Sequence, residues 1–353
     1  MNEEVNEEEI RQTLKQVEDP VLEDDILSLG LVTEIEVKDR DVLVKLAFNA
    51  PYSPAETMMA EQVGRILSSE GLEPQLTTDV PRVPSKLRDV KNIIAVTSGK
   101  GGVGKTTVAA NIAAGLDEMG ADVGILDGDV HGPDVPHKMA LDEEITAGSD
   151  ADSLEPADSG GVAVMSLQTI LPDDKSATFR GPIMEKILDQ FVDDVEWGSL
   201  DYLIIDMPPG TGDVPVWLVK TLSVTGAVVV TTPQPVAVDD SRRGVRMFKE
   251  HGIPVLGVVE NMNSFRCSCG SEYEIFGSGG GDDISEEYGI PMLDSLPMEQ
   301  EVREADDPIA REYGSDMGEK FRLLAATVAD HVGGVNREYI ASGKSRSPMR
   351  ASK

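Results

Sequence analysis

The residues best suited to chemistry lie in one decapeptide, Ser98-Gly-Lys-Gly-Gly-Val-Gly-Lys-Thr-Thr107. Glycines at this density let a backbone curl until successive N–H groups point inward, and a concave row of donors binds an anion. The apolar run Ile93-Ile-Ala-Val96 precedes the loop and a helical pattern from Val108 to Met119 follows it, so the positive end of a helix adds to the attraction. The spacing G-x4-G-K-[ST], running from Gly99 through Lys100, Gly101, Gly102, Val103 and Gly104 to Lys105 and Thr106, is that of a nucleotide phosphate cradle that Thr107 continues. On this reading Lys105 reaches the β- and γ-phosphates of ATP and the Thr106 hydroxyl ligates Mg²⁺. Lys100, a second lysine inside the loop, reads either as solvated or as a cation aimed outward at a phosphate held by another subunit.

Two further segments bring carboxylates to the same place. Ile125-Leu-Asp-Gly-Asp129 sets Asp127 and Asp129 where a strand meets the loop. Leu203-Ile-Ile-Asp-Met-Pro-Pro-Gly210 is an apolar strand ending in aspartate, so Asp206 is expected to hold Mg²⁺ through water, and the Gly210 N–H to sense the γ-phosphate. Each aspartate has a plainer reading as a cap on the segment that follows it.

Positioning these groups requires strands that end together. Short apolar runs alternate with helical segments: Ile93 to Val96, Val123 to Leu126, Val162 to Met165, Tyr202 to Ile205, Ala227 to Val230, Val255 to Val259 and a weaker one at Met292 to Leu296. Such continuous runs predict a mostly parallel sheet covered on both faces, doubly wound, with its site at the strand carboxyl ends. The first 80 residues read instead as a small α+β domain. A helix is expected near Glu7 to Val17, a hairpin of Leu31 to Val37 and Val42 to Phe48 about Lys38-Asp39-Arg40-Asp41, a helix from Ala55 to Ser69, and a strand near Gln75. A proline-bearing linker, Asp79-Val-Pro-Arg-Val-Pro84, leads through residues 81–89 into the α/β P-loop domain at 90–335. Asp142 to Gly161 reads as a surface loop and 336–353 as a disordered tail.

Bulk composition removes several function classes. The net charge is −33, from 64 acidic and 31 basic side chains. This reads either as repulsion of nucleic acid or as adaptation to high salt, and both argue against binding DNA by bulk charge. No apolar run reaches the roughly 20 residues of a membrane helix. The N-terminus, MNEEVNEEEI, is acidic where a secretory signal begins basic and then apolar, so a cytoplasmic protein with neither nucleic-acid nor membrane partners is expected.

With these segments in hand, the chain closely resembles the Mrp/ApbC family of iron–sulfur cluster carrier ATPases, within the MinD/ParA/ArsA class of deviant Walker-A proteins. The matching stretches are Ser98 to Thr107, Asp127-Gly-Asp-Val-His-Gly-Pro133, Asp206-Met-Pro-Pro-Gly-Thr-Gly-Asp213, Thr231-Thr-Pro-Gln234, Val259-Glu-Asn-Met262, Ile275-Phe-Gly-Ser-Gly-Gly-Gly281 and Asp294-Ser-Leu-Pro-Met298. The resemblance implies a homodimer that sandwiches ATP, with Lys100 crossing to the partner's nucleotide, Asp129 positioning the attacking water and Asn261 contacting adenine. The first domain resembles the iron–sulfur assembly domain often fused ahead of this ATPase, on Asp19-Pro20 and Ser28-Leu-Gly-Leu31; Ser53 stands where that family commonly carries a cysteine.

The two cysteines of the chain, Cys267 and Cys269, fall after the strand bearing Asn261, one residue closer together than the Cys-x-x-Cys typical of the carriers. Two thiolates are half the four ligands of a [4Fe–4S] cluster or a structural Zn²⁺. A two-fold dimer would complete the set, so the shortage predicts a shared centre at a symmetric interface. His131, His137, His251 and His331 are scattered, and the first two read as loop residues. The expected function is therefore an ATP-hydrolysing carrier that holds a [4Fe–4S] cluster between subunits and passes it to apoproteins. Its competitors are a positioning ATPase of the MinD/ParA kind, which lacks here an amphipathic tail or a basic face, and a zinc-binding metallochaperone ATPase with the same ligands.

Overall fold

The fold is described from a computed structural model at residues 6–78, 87, 89–129, 132–141, 154–168, 181–267 and 269–343, with the backbone alone for 181–185. The chain divides into two compact units, residues 1–83 with 329–347, and residues 84–328 with 348–353. The expected linker and the tail beyond residue 343 fall largely outside the described residues, as do residues 142–153 of the expected surface loop.

In the first unit α1 (Glu7–Leu14) is started by Asn6 and Glu9, whose side chains satisfy each other's backbone N–H groups. It stops short of Val17 because the Gln16 and Val17 N–H groups turn back to the carbonyls three residues earlier and tighten the end. Strands β1 (Val32–Lys38) and β2 (Asp41–Leu46) form the expected hairpin, with Asp39 at φ 56°, a left-handed position that aspartate tolerates. Helix α2 (Pro54–Ser69) then leads to β3 (Glu73–Thr78), which pairs parallel with β2.

The second unit is the doubly wound sheet. Its elements are β4 (Val90–Ser98), α3 (Lys105–Glu118), β5 (Val123–Asp127), α4 (Val135–Lys138), β6 (Ala157–Ser159), β7 (Val162–Met165), α5 (Gly181–Asp193), β8 (Leu200–Asp206), α6 (Asp213–Thr221), β9 (Gly226–Thr231), α7 (Pro235–Glu250), β10 (Val255–Arg266), β11 (Glu272–Tyr273), α8 (Gly280–Tyr288), β12 (Met292–Met298), α9 (Gln300–Glu304) and the start of α10 (Asp316–Ala341), whose residues from Ala329 onward belong to the first unit. The strand order is β11-β10-β9-β4-β8-β5-β7-β6, with β12 also on β10; only β6 and β11 run antiparallel to their neighbours. Every residue of β5, β8 and β9 is buried, as continuous apolar runs require of strands covered on both faces.

Two expectations are corrected. Ala157–Ser159, inside the expected loop, is an edge strand pairing with β7, a three-residue ladder too short to show a period-2 pattern. Helix α10 runs through Ala341, past residue 336 where a disordered tail was expected. The reason is Arg337, fully buried in the first unit. Its Nε donates to Asp19 Oδ2 at 2.5 Å and its Nη1 to Glu56 Oε1 at 3.3 Å, while Nη2 has no partner among the described residues. Ser53 is also fully buried. Its Oγ donates to Asp330 Oδ1 at 2.7 Å and accepts from the Glu56 N–H at the start of α2. Ser53 is thus the cap of α2.

Asp19 has the shorter bond to Arg337, so Glu56 is the less compensated acid. Burial pushes its carboxyl up from 4.5 to about 7, against the opposing pull of the Ala50 N–H and Arg337. A folded-state value above the unfolded one means that the folded chain holds the proton longer. The stability this gives is complete below about pH 4.5 and is lost as the pH rises through about 7. The thermal midpoint of the parent should therefore fall relative to that of Glu56→Gln between about pH 5 and pH 7.5, followed by circular dichroism. Midpoints that stay parallel across that window would contradict the assignment.

Candidate functional site: a phosphate cradle at the strand ends

Three strands deliver the site. In register, Val96 of β4 lies beside Asp206 of β8, and Asp206 lies beside Asp127 of β5, so loop and carboxylates emerge at the same edge. From β4 the chain turns through residues 99–104 into α3, whose N-cap is Gly104 at φ 84°. Two glycines there are demanded by close approach. A Cβ on Gly99 would run into the backbone of Asp240 and Ser241 on α7, and one on Gly104 into the amide of Asn261.

Lys105, the first residue of α3, is 6% exposed, and its Nζ lies 2.5 Å from Asp206 Oδ1. The Thr106 hydroxyl donates to the other carboxylate oxygen at 2.8 Å. Burial pushes the Asp206 carboxyl up, and the Lys105 ammonium with its hydrogen bond is the main opposing influence. Asp127 is raised to about 7, first by burial and then by the neighbouring charge of Asp206. Its oxygens accept N–H groups from Asp129, Asp134 and Val135 at 3.1–3.2 Å and the Ser166 hydroxyl at 3.2 Å. The Asp127 carboxylate therefore organises the loop that presents Asp129. Val130 and His131 of that loop lie outside the described residues, and His137 sits on α4 rather than in a loop.

The remaining expected residues are placed as follows. Gly101, Gly102, Val103 and Thr107 lie in the loop and first turn of α3. Gly210, at φ 87°, gives its N–H to the Ser98 carbonyl at 2.9 Å. Lys100 Nζ donates to Gln234 Oε1 at 2.9 Å. Asn261 Nδ2 donates to the Val103 carbonyl at 2.9 Å, and Met262 beside it has φ 59°. Glu260, 3% exposed, accepts the Gly281 N–H at 2.6 Å and fixes the glycine-rich segment to β10. Gln234, Glu260 and Ser166 had no role assigned from sequence. For Gln234 a signal existed, since glutamine is an unusual residue in front of a helix-starting proline.

Cys267 and Cys269 lie in the turn between β10 and β11, where the Cys267 N–H donates to Ser271 O and the Gly270 N–H to Cys267 O, both at 2.8 Å. Cys267 is half-buried, Cys269 exposed, and neither is in a disulfide. The Ser271 side chain, and then Cys267, lower the Cys269 thiol to about 7, so a substantial fraction is thiolate at neutral pH. Ser268 between them lies outside the described residues. No cluster of three or more histidine, cysteine or acidic side chains suited to a metal occurs among the described residues. Nor, among them, is any helix long and apolar enough to cross a membrane.

A glycine cradle opening a helix, a buried lysine, and aspartates on adjacent strand ends define a P-loop nucleotide-binding protein. The family model described as ParA, NUBPL iron-transfer P-loop NTPase, matches residues 89–332, and that of an iron–sulfur cluster assembly protein matches residues 7–71. The chain belongs to this iron-transfer P-loop NTPase family. It is 38% identical over 308 residues to a protein of Synechocystis named iron–sulfur cluster carrier protein, covering 83% of this chain and 87% of the relative. To the protein of the same name from Aquifex aeolicus it is 46% identical over 253 residues, 70% of each chain. A nucleotide-binding protein of Archaeoglobus fulgidus, solved in complex with ADP, superimposes with a TM-score of 0.57 at 35% identity, over 67% of this chain and 94% of that one.

Replacing one member of the buried pair tests its weight. Asp206→Asn leaves the Lys105 ammonium buried without its nearest carboxylate, which should destabilise the fold by roughly 3 kcal/mol in urea unfolding. The Mg²⁺-dependent part of ATP binding, followed by calorimetric titration with and without Mg²⁺, should be lost with it. A variant as stable as the parent would show that the pair carries little of the site's energy.

Proposed function

We propose that this chain is an ATP-hydrolysing iron–sulfur cluster carrier that works as a homodimer, holding a [4Fe–4S] cluster between subunits and releasing it to apoproteins in the cytoplasm. The observation that carries the reading is the continuity of β10. At Asn261 the strand is hydrogen-bonded to the phosphate loop, and at its far end, directly after Arg266, it enters the turn of Cys267 and Cys269. A change at the nucleotide therefore has a short, backbone-connected route to the two sulfurs.

The roles follow from position. Gly99 to Thr107 cradle the phosphates, with Lys105 transferring its charge from Asp206 to the β/γ-phosphate oxygens. The Thr106 hydroxyl and the Asp206 carboxylate, a pair of hard oxygen donors side by side, suit Mg²⁺, which would neutralise charge on those oxygens. Asp129 orients the attacking water from the loop that Asp127 holds, Gly210 must give up its bond to the Ser98 carbonyl to sense the γ-phosphate with its N–H, and Asn261 exchanges the Val103 carbonyl for adenine. Lys100 reaches the nucleotide of the second subunit. Because such contacts cross the interface only when it is closed, ATP favours one arrangement of the dimer and hydrolysis the other. The cluster itself is cargo. Cys267 and Cys269 of both subunits supply its four thiolates, the exposed and partly ionised Cys269 being the first to engage iron.

Anaerobic reconstitution with ferrous iron and sulfide tests this. The full-length protein should gain a broad visible absorption band and bind about four irons per pair of chains, and Cys267→Ala/Cys269→Ala should show neither. The loaded protein should activate an apo iron–sulfur protein, at a rate that ATP changes. Stoichiometric zinc with no visible band would identify a zinc-binding relative instead, and a parent that takes up no iron would refute the carrier reading.

A further inference from the structure

The two lysines of the phosphate loop are held in different ways. Lys105 is buried against the Asp206 carboxylate, whereas Lys100 makes no ion pair among the described residues and donates to a neutral acceptor, Gln234 Oε1, at 2.9 Å. The local geometry singles out Gln234. It is the N-cap of α7, the position where a side-chain oxygen ordinarily accepts an N–H of the first turn, yet its side chain makes no capping bond. Pro235 follows at the first helical position, and the N–H groups of Val236 and Ala237 that a cap would serve receive no bond from the Gln234 side chain. The Gln234 carbonyl still receives the Val238 N–H, so the helix starts normally and the side chain is released for another partner. Gly99, packed without room for a Cβ against the backbone of Asp240 and Ser241, brings the loop close enough to α7 for Lys100 to reach it.

We infer that Gln234 is a positioning residue that holds Lys100 within its own chain until a phosphate of a second subunit displaces it. The hold is suited to being broken. It is one hydrogen bond from a cation to an uncharged amide, formed at the end of α7 where the helix dipole disfavours positive charge. A phosphate offers charged acceptors and stronger bonds, so exchange runs toward the nucleotide once the two chains meet. This rests on the proposed crossing of Lys100 and adds a resting position to it.

Full-length Gln234→Glu and Gln234→Met test the latch. Glutamate keeps the length and adds a charge that grips the lysine. Methionine keeps the bulk and removes the oxygen. With a non-hydrolysable ATP analogue, sedimentation should show dimer formation needing about tenfold more protein for Gln234→Glu and several-fold less for Gln234→Met. In turnover, kcat of Gln234→Glu should fall about tenfold while KM for ATP stays within about twofold, because Lys105 and Thr106 are untouched. Opposite shifts in the two variants cannot come from general disturbance of the helix start. Shifts in the same direction, or none, would overturn the latch. Lys100→Ala separates the two ideas. If it abolishes nucleotide-driven dimerisation while both Gln234 variants behave as the parent, the crossing stands and the latch falls. If Lys100→Ala also behaves as the parent, the latch falls together with the crossing.

Discussion

The site is organised by a constraint on charge: a lysine and two aspartates must share a place with almost no water. Lys105, Asp127 and Asp206 are each at most 6% exposed, and the cation is nearest to Asp206. One positive charge cannot fully compensate two buried carboxylates, so both acids are pushed toward protonation, and Asp127 draws its remaining support from three backbone N–H groups and a serine. That support is what fixes the loop after β5. The electrostatic need of the cluster and the placement of Asp129 are the same set of bonds. A dense row of donors and an ammonium at a helix start then suit a polyphosphate, which brings the negative charge such donors attract.

The two chemical centres of the second unit share one strand. Over β10 the side chains pass from Glu260, tied to Gly281, to Asn261, tied to the phosphate loop, and on to the turn that carries the cysteines. Between them the pairing with β12 is irregular from Asn261 to Phe265, and Met262 adopts a left-handed backbone that an ordinary strand does not contain. The register of β10 also shifts earlier, between Val255 and Gly257 on β9 and between Val258 and Val259 on β12, so the strand is irregular along much of its length.

In the first unit the same physics is used for stability. A fully buried arginine is tolerable only with partners, and Arg337 finds Asp19 and Glu56. Asp330, on the same helix, accepts both the Ser53 hydroxyl and the Ala55 N–H at 2.8 Å, which makes the last turns of α10 part of this unit's polar interior. The hydroxyl of Ser53 is buried and engaged on both sides.

Much of this was legible in the order of residues. The glycine loop between a strand and a helix, the aspartates closing apolar runs, the hairpin about Asp39 and the alternation that makes a doubly wound sheet are local patterns, and local patterns follow from backbone sterics and from which faces must leave water. What the sequence could not determine are the pairings made across long stretches of chain. Lys100 with Gln234, Asn261 with Val103, and Arg337 with Asp19 are separated by 134, 158 and 318 residues. Arg337 shows the difference most plainly: its charge alone suggests a solvated tail, and only the buried acids that meet it turn the same residues into the end of a helix. Composition and spacing determined which groups exist and on what kind of element each sits. The tertiary structure decided which of them are close enough to neutralise one another, because the energy of a buried charge depends on its neighbours in space.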